Sequence, residues 1–230
     1  MIKEVILNNP IWVIGDVHGE YNLLIDLLEK IPEKDNICFV GDIIDRGKDS
    51  KKIIQLIRER NYYCVLGNHE EMALTDFESW LKYGGDATIY SYLKNKDFEK
   101  YLENKELVND LEWLETLPTI IKFKIKKEGL FSRYEKPLYV SHSGLKLFKS
   151  DKKILENNSR HEIIWNRSRH KEVGFAVNIH GHSPILTELS NISKSQINID
   201  SGVVYSGNPM FGYLTGIEYP TKRRFYSKTK

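Results

Sequence analysis

The sequence predicts an α/β fold for this chain of 230 residues. Short apolar runs of strand length alternate with segments that carry apolar residues at helical spacing, and three such strands precede residue 70. The order β-α-β-α-β over the first seventy residues requires parallel strands joined by right-handed crossovers. Helical periodicity then dominates residues 71–117, and strand patterns return after them. We therefore expect an N-terminal βαβαβ unit, a helical insertion and a strand-rich second half.

The N-terminal unit is defined by apolar spacing and by breaking residues. Leucines recur at helical spacing between residues 20 and 30, and Pro32 stops the helix that they predict. Ile53, Ile54 and Ile57 repeat this pattern in a second helix. The predicted elements, in chain order, are strand 10–14, helix 20–30, strand 35–40, helix 51–60 and strand 62–66.

The stretch 71–117 predicts a helical insertion, or cap, beside the strand ends. Its apolar spacing is helical, Gly84-Gly85 breaks the run, and Pro118 ends it. Aromatic residues are frequent here, and in helices they more often pack against their neighbours than form a ligand cage. They are Trp80, Tyr83, Tyr90, Tyr92, Tyr101 and Trp113.

Strands return after residue 118. In the run 119–126, apolar residues alternate with lysines, which predicts a half-buried strand whose lysines protect a sheet edge. Gly129 predicts a turn after this strand. Further apolar runs predict strands over 138–140, 177–179, 197–199 and 211–217.

Composition limits the classes of function. The 34 basic and 32 acidic residues leave a formal net charge of only +2, whereas a dedicated nucleic-acid binder carries a clear basic excess. Residues 221–230 are basic, and we expect them to form a frayed, solvated tail. No apolar run approaches the ~20 residues of a membrane span. We therefore expect no stable nucleic-acid binding and no membrane association.

The cysteines and the N-terminus favour a cytoplasmic protein. Cys38 and Cys64 lie in predicted buried strands, where small core thiols are more frequent than disulfides. Residues 1–7 lack the layout of a signal peptide. We therefore expect free thiols and a reducing compartment.

Three glycine-bounded segments follow the first three predicted strands. Each carries carboxylate, imidazole or amide side chains, and they begin 26 residues apart, close to one strand–helix–strand repeat of ~30 residues. Because parallel strands end at the same edge of a sheet, these side chains should meet there, where they offer ligands for a divalent metal. The segments are Gly15-Asp16-Val17-His18-Gly19, Gly41-Asp42-Ile43-Ile44-Asp45-Arg46-Gly47 and Gly67-Asn68-His69-Glu70.

Two more strand-end histidines, His142 and His182, lie beside glycines in the second half. A lone histidine at a strand end is ordinarily structural, but several of them together with carboxylates predict a metal site. The candidate ligands comprise three nitrogens and three oxygens, from Asp16, His18, Asp42, Asn68, His142 and His182.

Six protein ligands exceed the needs of one catalytic metal, which also requires an open position. They suit two cations that share a bridging carboxylate, and mixed nitrogen and oxygen ligation without thiolate favours Mn, Fe, Zn or Co. Two cations ~3.5–4 Å apart clamp the attacking and leaving oxygens of an in-line displacement and lower the pKa of a bridging water. The residues thus predict phosphoester hydrolysis.

Four further residues could act on a phosphate group. Arg46 and Arg167 carry guanidinium groups that can bind two phosphate oxygens at once. His69 could protonate the leaving alkoxide, and Asp45 could fix the tautomer of that imidazole and keep it protonated. The structural alternatives are a surface ion pair for Arg167 and a turn or helix cap for Asp45.

The motifs resemble those of the phosphoprotein phosphatase family of metallophosphoesterases, especially its short bacterial and phage lambda-type members. The GDxHG, GDxxDRG and GNHE motifs are intact. Segments around His142, 164–167, His182 and 198–202 also match, in order, so the resemblance covers nearly the whole chain. Ser143 is a departure, because the family usually has glycine or alanine after this histidine.

The resemblance implies a metallophosphoesterase fold of two packed mixed β-sheets flanked by helices, in a single calcineurin-like domain over 1–230. It implies two metal sites that share a bridging residue: one held by Asp16, His18 and Asp42, the other by Asp42, Asn68, His142 and His182. Mn²⁺ is the usual activating metal of such relatives, with Fe, Zn, Co and Ni as alternatives.

The resemblance also assigns roles on the phosphate side of the site. It implies His69 as general acid, Asp45 as its partner, and Arg46 and Arg167 as phosphate clamps. His180 matches no family ligand; it could pack behind the site or have no role.

Three functions stay open. The first is a serine/threonine protein phosphatase, with tyrosine as a further target, acting on a phosphoprotein or phosphopeptide. The second is symmetrical diadenosine tetraphosphate hydrolase, whose members usually lack an aspartate at the position of Asp45, so this residue favours the phosphatase. The third is a non-catalytic binding module, which should have lost a ligand or a clamp. The sequence leaves the oligomeric state undecided.

Overall fold

The computed structural model describes residues 2–32, 34, 36–93, 98–127, 133–186, 193–205, 207–208 and 210–228. Ten strands within these residues form two five-stranded sheets. The strands are β1 (Ile2–Leu7), β2 (Ile11–Ile14), β3 (Ile37–Phe39), β4 (Tyr63–Cys64), β5 (Ile120–Ile125), β6 (Leu138–Ser141), β7 (Val177–His180), β8 (Gln196–Asn198), β9 (Tyr213–Tyr219) and β10 (Arg224–Lys228). The turn predicted at Gly129 lies outside the described residues.

Helices occupy much of the remaining described chain. They are α1 (Tyr21–Lys30), α2 (Ser50–Glu59), α3 (Asn68–Thr75), α4 (Phe77–Trp80), α5 (Asp86–Leu93), α6 (Lys105–Glu115), α7 (Asp151–Asn157) and α8 (Arg160–Trp165), with a 3₁₀ helix at Phe98–Glu103. The helices predicted between 71 and 117 are therefore present. The predicted break is also present: α4 and α5 are joined by a kinked turn, Leu81–Gly85, in which Gly84 has a left-handed φ of 107°.

Both sheets are mixed. The first has the order β1-β5-β6-β7-β8, in which every pair is parallel except β5–β6. The second has the order β10-β9-β2-β3-β4, in which β2, β3 and β4 are parallel and β9 is antiparallel to both neighbours. The predicted parallel βαβαβ unit is confirmed, as is the pair of mixed sheets flanked by helices.

The strand β2 shows how the sequence pattern builds two cores. Trp12 and Ile14 face the helices and join the core beneath them, whereas Ile11 and Val13 belong to a second core that includes Phe123 of the other sheet. All four are essentially inaccessible to solvent. Since successive side chains of a strand point to opposite faces, a continuous apolar run is what a sheet covered on both sides requires.

The two chain ends depart from the predictions. The expected frayed tail is wrong for Arg224–Lys228, which is the edge strand β10 and pairs antiparallel with β9. Phe225 stacks on Trp12 with ring centroids 5.3 Å apart, so apolar packing holds this segment despite its charge. The strand β1 was not predicted, because its exposed charged residues obscure the apolar pattern.

The lysines of β5 do not protect a sheet edge. This strand lies inside its sheet, between β1 and β6. Lys122 contacts Asp151 at 2.7 Å and Lys124 contacts Glu4 at 2.7 Å, so both ammonium groups pair with carboxylates on the solvent-facing side. Alternation alone cannot separate an edge strand from an inner strand with one wet face.

The thiols of Cys38 and Cys64 are buried and free, as the sequence predicts. Among the described residues, none of the helices combines the length and the apolar character needed to cross a membrane.

Candidate metal and catalytic site

The predicted site residues meet at the ends of strands from both sheets. Eight of the ten line one small cavity of about 70 Å³, and Asp45 and His142 lie buried directly behind it. The eight are Asp16, His18, Asp42, Arg46, Asn68, His69, Arg167 and His182. A larger cavity of about 480 Å³ adjoins this site but includes only Arg167 of the predicted residues.

The backbone around the cavity is strained at the functional positions. Seven described residues other than glycine have positive φ, and five of them are predicted site residues. The five are His18, Asp42, Asp45, Arg46 and His182. Such conformations cost of order 1–3 kcal/mol each and persist where surrounding structure enforces them, which is typical of functional sites.

Glu70 enforces the shape of the loop that carries Asp42. Its fully buried carboxylate accepts hydrogen bonds from the backbone N–H groups of Asp42 (2.8 Å), Ile43 (2.9 Å), Ile44 (3.3 Å) and Gly67 (2.9 Å). Burial raises the pKa of Glu70 to about 7. Glu70 closes the third glycine-bounded motif, but nothing in its local sequence indicates this supporting role.

Asp42 lies at the centre of the candidate ligands. Its Oδ2 is 3.6 Å from Nε2 of His18, and its Oδ1 is 3.3 Å from Nε2 of His142. Burial opposes its ionisation, but the surrounding imidazoles hold its pKa below the usual range. Two groups of possible ligand atoms each lie within 4.8 Å and share Asp42, one with His18 and His69, the other with Asp16 and His142.

Three imidazoles are fixed by backbone carbonyls on the side away from the cavity. His18 donates from Nδ1 to Ile44 O at 3.0 Å, and His142 donates from Nδ1 to Val40 O at 2.8 Å. His182 donates from Nε2 to the carbonyl of residue 165 at 3.2 Å. Burial lowers the pKa of all three rings. With one nitrogen donating to a carbonyl, each ring in its neutral form turns the lone pair of its other nitrogen toward the site, as a metal ligand must.

Three acceptor atoms crowd together on one side of Asp42. Oδ1 of Asn68 is 2.8 Å from both Nε2 of His142 and Nδ1 of His182, and these two nitrogens are 3.2 Å apart. Because both ring protons are donated to backbone carbonyls, no proton is available between these atoms. Three lone pairs at this separation repel one another unless a cation lies among them, so the donor set fits a divalent metal.

Asp16 is held against the segment that carries His182. The backbone N–H of His182 donates to Oδ2 of Asp16 at 3.1 Å. Gly181 permits this contact, because a Cβ at that position would overlap Oδ1 of Asp16. Burial, with the nearby carboxylates of Asp200 and Asp42, raises the pKa of Asp16 well above its usual value. A carboxylate in such surroundings is stabilised by a bound cation.

His69 differs from the other rings because its partner is a carboxylate. Its Nδ1 donates to Oδ2 of Asp45 at 2.7 Å, and both side chains are almost completely buried. Burial opposes protonation, but the charges of Asp42 and Asp45 raise the pKa of His69 above its usual value. Asp45 is thus not a helix cap: its backbone lies in a tight turn with a left-handed φ of 73°, and its carboxylate contacts the imidazole.

The two predicted arginines reach the cavity in different ways. Arg46 donates from Nη1 to Nε2 of His18 and from Nη2 to Nε2 of His69, each at 3.0 Å. Arg167 is exposed, and its Nη1 lies 3.4 Å from Oγ of Ser183. Both guanidinium groups can therefore reach an anion in the cavity.

Several residues of the site were not predicted. Asp200 lines the cavity, and burial raises its pKa to about 7. The available signal was its position directly after the strand predicted over 197–199. Trp80 and Thr88 donate to Asp45, and no motif connects these positions in the sequence. His180 lines the larger cavity and not the small one.

The sequence is similar to a known protein family and to several characterised proteins. Residues 9–209 match the family model for calcineurin-like phosphoesterases. Serine/threonine-protein phosphatase 2 of Salmonella typhimurium is 29% identical over 223 residues, which is 89% of this chain and 93% of that protein. The symmetrical bis(5'-nucleosyl)-tetraphosphatase of Wigglesworthia glossinidia brevipalpis is 30% identical over 176 residues, which is 68% of this chain and 61% of that protein.

Solved structures show the same fold. A protein provisionally assigned as a diadenosine tetraphosphatase has a TM-score of 0.66 at 19% identity, over 100% of this chain and 98% of that one. A protein serine/threonine phosphatase from Saccharomyces cerevisiae has a TM-score of 0.64 at 17% identity, over 100% of this chain and 84% of that one. At these identities the likeness concerns the fold alone.

Proposed function

Because the chain belongs to the calcineurin-like phosphoesterase family, we propose that it hydrolyses phosphate monoesters on serine and threonine side chains of proteins, with tyrosine as a further target. The observation that carries this proposal is the contact of 2.7 Å between Nδ1 of His69 and Oδ2 of Asp45. A serine alkoxide is a poor leaving group and needs a proton as it departs, which a carboxylate-supported imidazole can supply. A nucleotide phosphate leaves without such help.

Two divalent cations would be held by the residues that crowd around Asp42. Asp42 would be shared between them, as its two oxygens face different imidazoles. The proposed ligands are Asp16, His18, Asp42, Asn68, His142 and His182. When bound, the cations would lower the pKa of a water between them and neutralise charge on the phosphate oxygens. Mn²⁺ suits this nitrogen and oxygen set, as do Fe, Zn, Co and Ni.

The chain's own residues would supply the other functions. Once Arg46 has turned away from Nε2 of His69, this nitrogen would hold a proton, since Nδ1 is committed to Asp45, and would give it to the departing oxygen. Arg46 and Arg167 would bind the non-bridging oxygens of the phosphate through their planar guanidinium groups. Arg46 contacts His18 and His69, so its side chain must turn toward the phosphate to do so.

A second function is favoured by different observations. The match to a symmetrical bis(5'-nucleosyl)-tetraphosphatase covers 68% of this chain, and the fold is shared with a protein provisionally assigned as a diadenosine tetraphosphatase. In that case the chain would cleave a phosphoanhydride of a dinucleotide. The cavity beside Arg167, of about 480 Å³, has room for more than a phosphate group.

One experiment distinguishes the two. The purified protein with added Mn²⁺ is assayed on a phosphoserine peptide, on p-nitrophenyl phosphate and on diadenosine tetraphosphate, with a metal-chelated sample as control. The protein phosphatase should release phosphate from the peptide with the highest kcat/KM. A preference for the dinucleotide would replace the proposal with the second function. Failure on all three substrates, with metal bound, would reject hydrolysis of these phosphoesters.

A further inference from the structure

Asp45 is anchored from a part of the chain that lies outside the motifs. Its Oδ2 accepts from His69, and its Oδ1 accepts from Nε1 of Trp80 at 2.8 Å and from Oγ1 of Thr88 at 2.7 Å. The Asp45 side chain is completely buried, so these three donors are its environment in place of water. With Oδ1 held by two donors, the carboxylate cannot rotate away from His69.

Trp80 and Thr88 come from opposite ends of the kinked segment that joins α4 to α5. Trp80 closes α4, Thr88 lies in the first half of α5, and both are buried. The backbone N–H of Asp45 donates back to Oγ1 of Thr88 at 2.9 Å and to Oγ of Ser50 at 3.1 Å. Thr88 therefore contacts both the side chain and the backbone of the same residue.

Gly84 and Gly85, which lie between Trp80 and Thr88, also help to hold this segment against the Asp45-Arg46 loop. The carbonyl of Gly84 accepts from the backbone N–H of Arg46 at 3.1 Å. A Cβ on Gly85 would lie 2.6 Å from the Trp80 indole, so only glycine leaves that ring in place. The segment thus contacts the Asp45-Arg46 loop at three positions, Trp80, Gly84 and Thr88, and Gly85 leaves room for the Trp80 ring.

We infer that Trp80 and Thr88 are positioning residues for the general acid: they hold Asp45, and Asp45 holds His69. The helical insertion is then part of the catalytic machinery and not only a cover for the site. This inference rests on the proposed phosphomonoesterase function for its kinetic consequence. Proton donation matters for the serine alkoxide and much less for p-nitrophenolate, which is stable as an anion.

The variants Trp80→Phe and Thr88→Val remove the donors and keep most of the volume. We expect kcat on a phosphoserine peptide to fall about tenfold or more, as for the loss of a hydrogen bond to a charged group. On p-nitrophenyl phosphate we expect less than about a threefold change, and KM should stay the same for both substrates. Thr88→Ser keeps the hydroxyl and should restore most of the activity on the peptide.

A matched control is Trp12→Phe. Trp12 is as buried as Trp80, but its Nε1 has no hydrogen-bond partner among the described residues. Its ring packs on Phe225 of the edge strand β10. Its substitution should leave the ratio of the two kcat values unchanged. Thermal unfolding of each variant reports any general loss of stability.

A second readout does not depend on turnover. The Nδ1 proton of His69, held between two buried side chains, should give a downfield NMR signal that is absent in Asp45→Asn. In Trp80→Phe this signal should shift or broaden, and in Trp12→Phe it should not. Equal losses on both substrates, or an unchanged signal in Trp80→Phe, would overturn the inference. Wild-type inactivity on both substrates would instead overturn the proposed function, while the NMR result would still decide the placement of Asp45.

Discussion

The imidazoles of the site fall into two regions, which differ in what holds the far side of each ring. In the cation region, three rings donate to backbone carbonyls and turn a lone pair toward Asp42 or Asn68. The three rings are those of His18, His142 and His182. In the acid region, His69 donates to the carboxylate of Asp45.

The partner decides what the same side chain can do. A carbonyl fixes the tautomer without adding a full charge, so burial dominates and lowers the pKa of the ring, which favours its neutral form. A carboxylate adds a negative charge, and together with Asp42 it raises the pKa of His69 despite burial. One region is therefore suited to bind a cation and the other to hold a proton.

The largest effect should come from the cation region. His182→Ala removes one of the three crowded acceptors, so metal affinity should fall at least ~100-fold, beyond the 10–100-fold typical of outer-shell changes. Bound metal, measured by elemental analysis after gel filtration, should drop below two ions per chain, and kcat should be lost with it. The matched control is His161→Ala, at an exposed histidine outside the cavity. Full occupancy in His182→Ala would contradict the ligand assignment.

In the acid region the expected loss is kinetic and leaves the metal in place. His69→Asn should lower kcat on a phosphoserine peptide by roughly 10²–10⁴. Metal content should stay near the wild-type value, because the proposed ligands and their backbone partners are untouched. Unchanged turnover would remove His69 from the mechanism, and a parallel loss of metal would place this ring in the cation region.

Glu70 supports the loop beside both regions, so its substitution tests whether they share a scaffold. In Glu70→Gln, an amide N–H₂ replaces one carboxylate oxygen and faces backbone N–H donors. We expect the free energy of unfolding to fall by about 2–3 kcal/mol, as for a lost charged hydrogen bond. Urea unfolding measures this loss, with Glu78→Gln at an exposed position as control. Equal stability of the two variants would mean that the loop holds its shape without Glu70.

The smallest effect on function should come from substitution of Arg167, the exposed residue proposed to bind phosphate. Arg167→Ala should weaken inhibition by inorganic phosphate about tenfold, because one charged hydrogen-bonding partner is lost. Metal content and thermal stability should not change, since Arg167 is exposed and its hydrogen bond to Ser183 is long, at 3.4 Å. Arg169→Ala removes the same charge two residues away, outside the small cavity, and should leave inhibition unchanged. Wild-type inhibition in Arg167→Ala would count against a clamp.

Much of this architecture was predictable because local signals agreed. The apolar runs, the helical spacing and the glycine-bounded motifs all indicated one parallel unit, and β2, β3 and β4 are parallel as predicted. Side chains far apart along the chain, such as Asp42 and His142, lie 3.3 Å apart because they follow β3 and β6, strands of the two different sheets whose ends meet at the site. The residues that surround Asp42 were therefore accessible to sequence reasoning.

The remainder depended on contacts between distant segments that carry no joint signal. Trp80 and Thr88 are an aromatic and a hydroxyl residue of ordinary helical pattern, and only the docking of α4 and α5 brings them to Asp45. The strand β10 has a charged sequence, and it pairs because β9 offers a free edge and Trp12 offers a face for Phe225. Neither contact can be recognised from the residues that surround it in the sequence.

The sequence by itself determined which side chains gather around Asp42, since the strand ends that carry them follow from local patterns of glycine and apolar residues. The tertiary structure decided what each of them can do. His69 and His142 are the same residue type at similar strand ends, yet one donates to a carboxylate and the other to a backbone carbonyl. The charge and burial of that partner set the protonation of the ring, and both are properties of packing between segments distant in the chain.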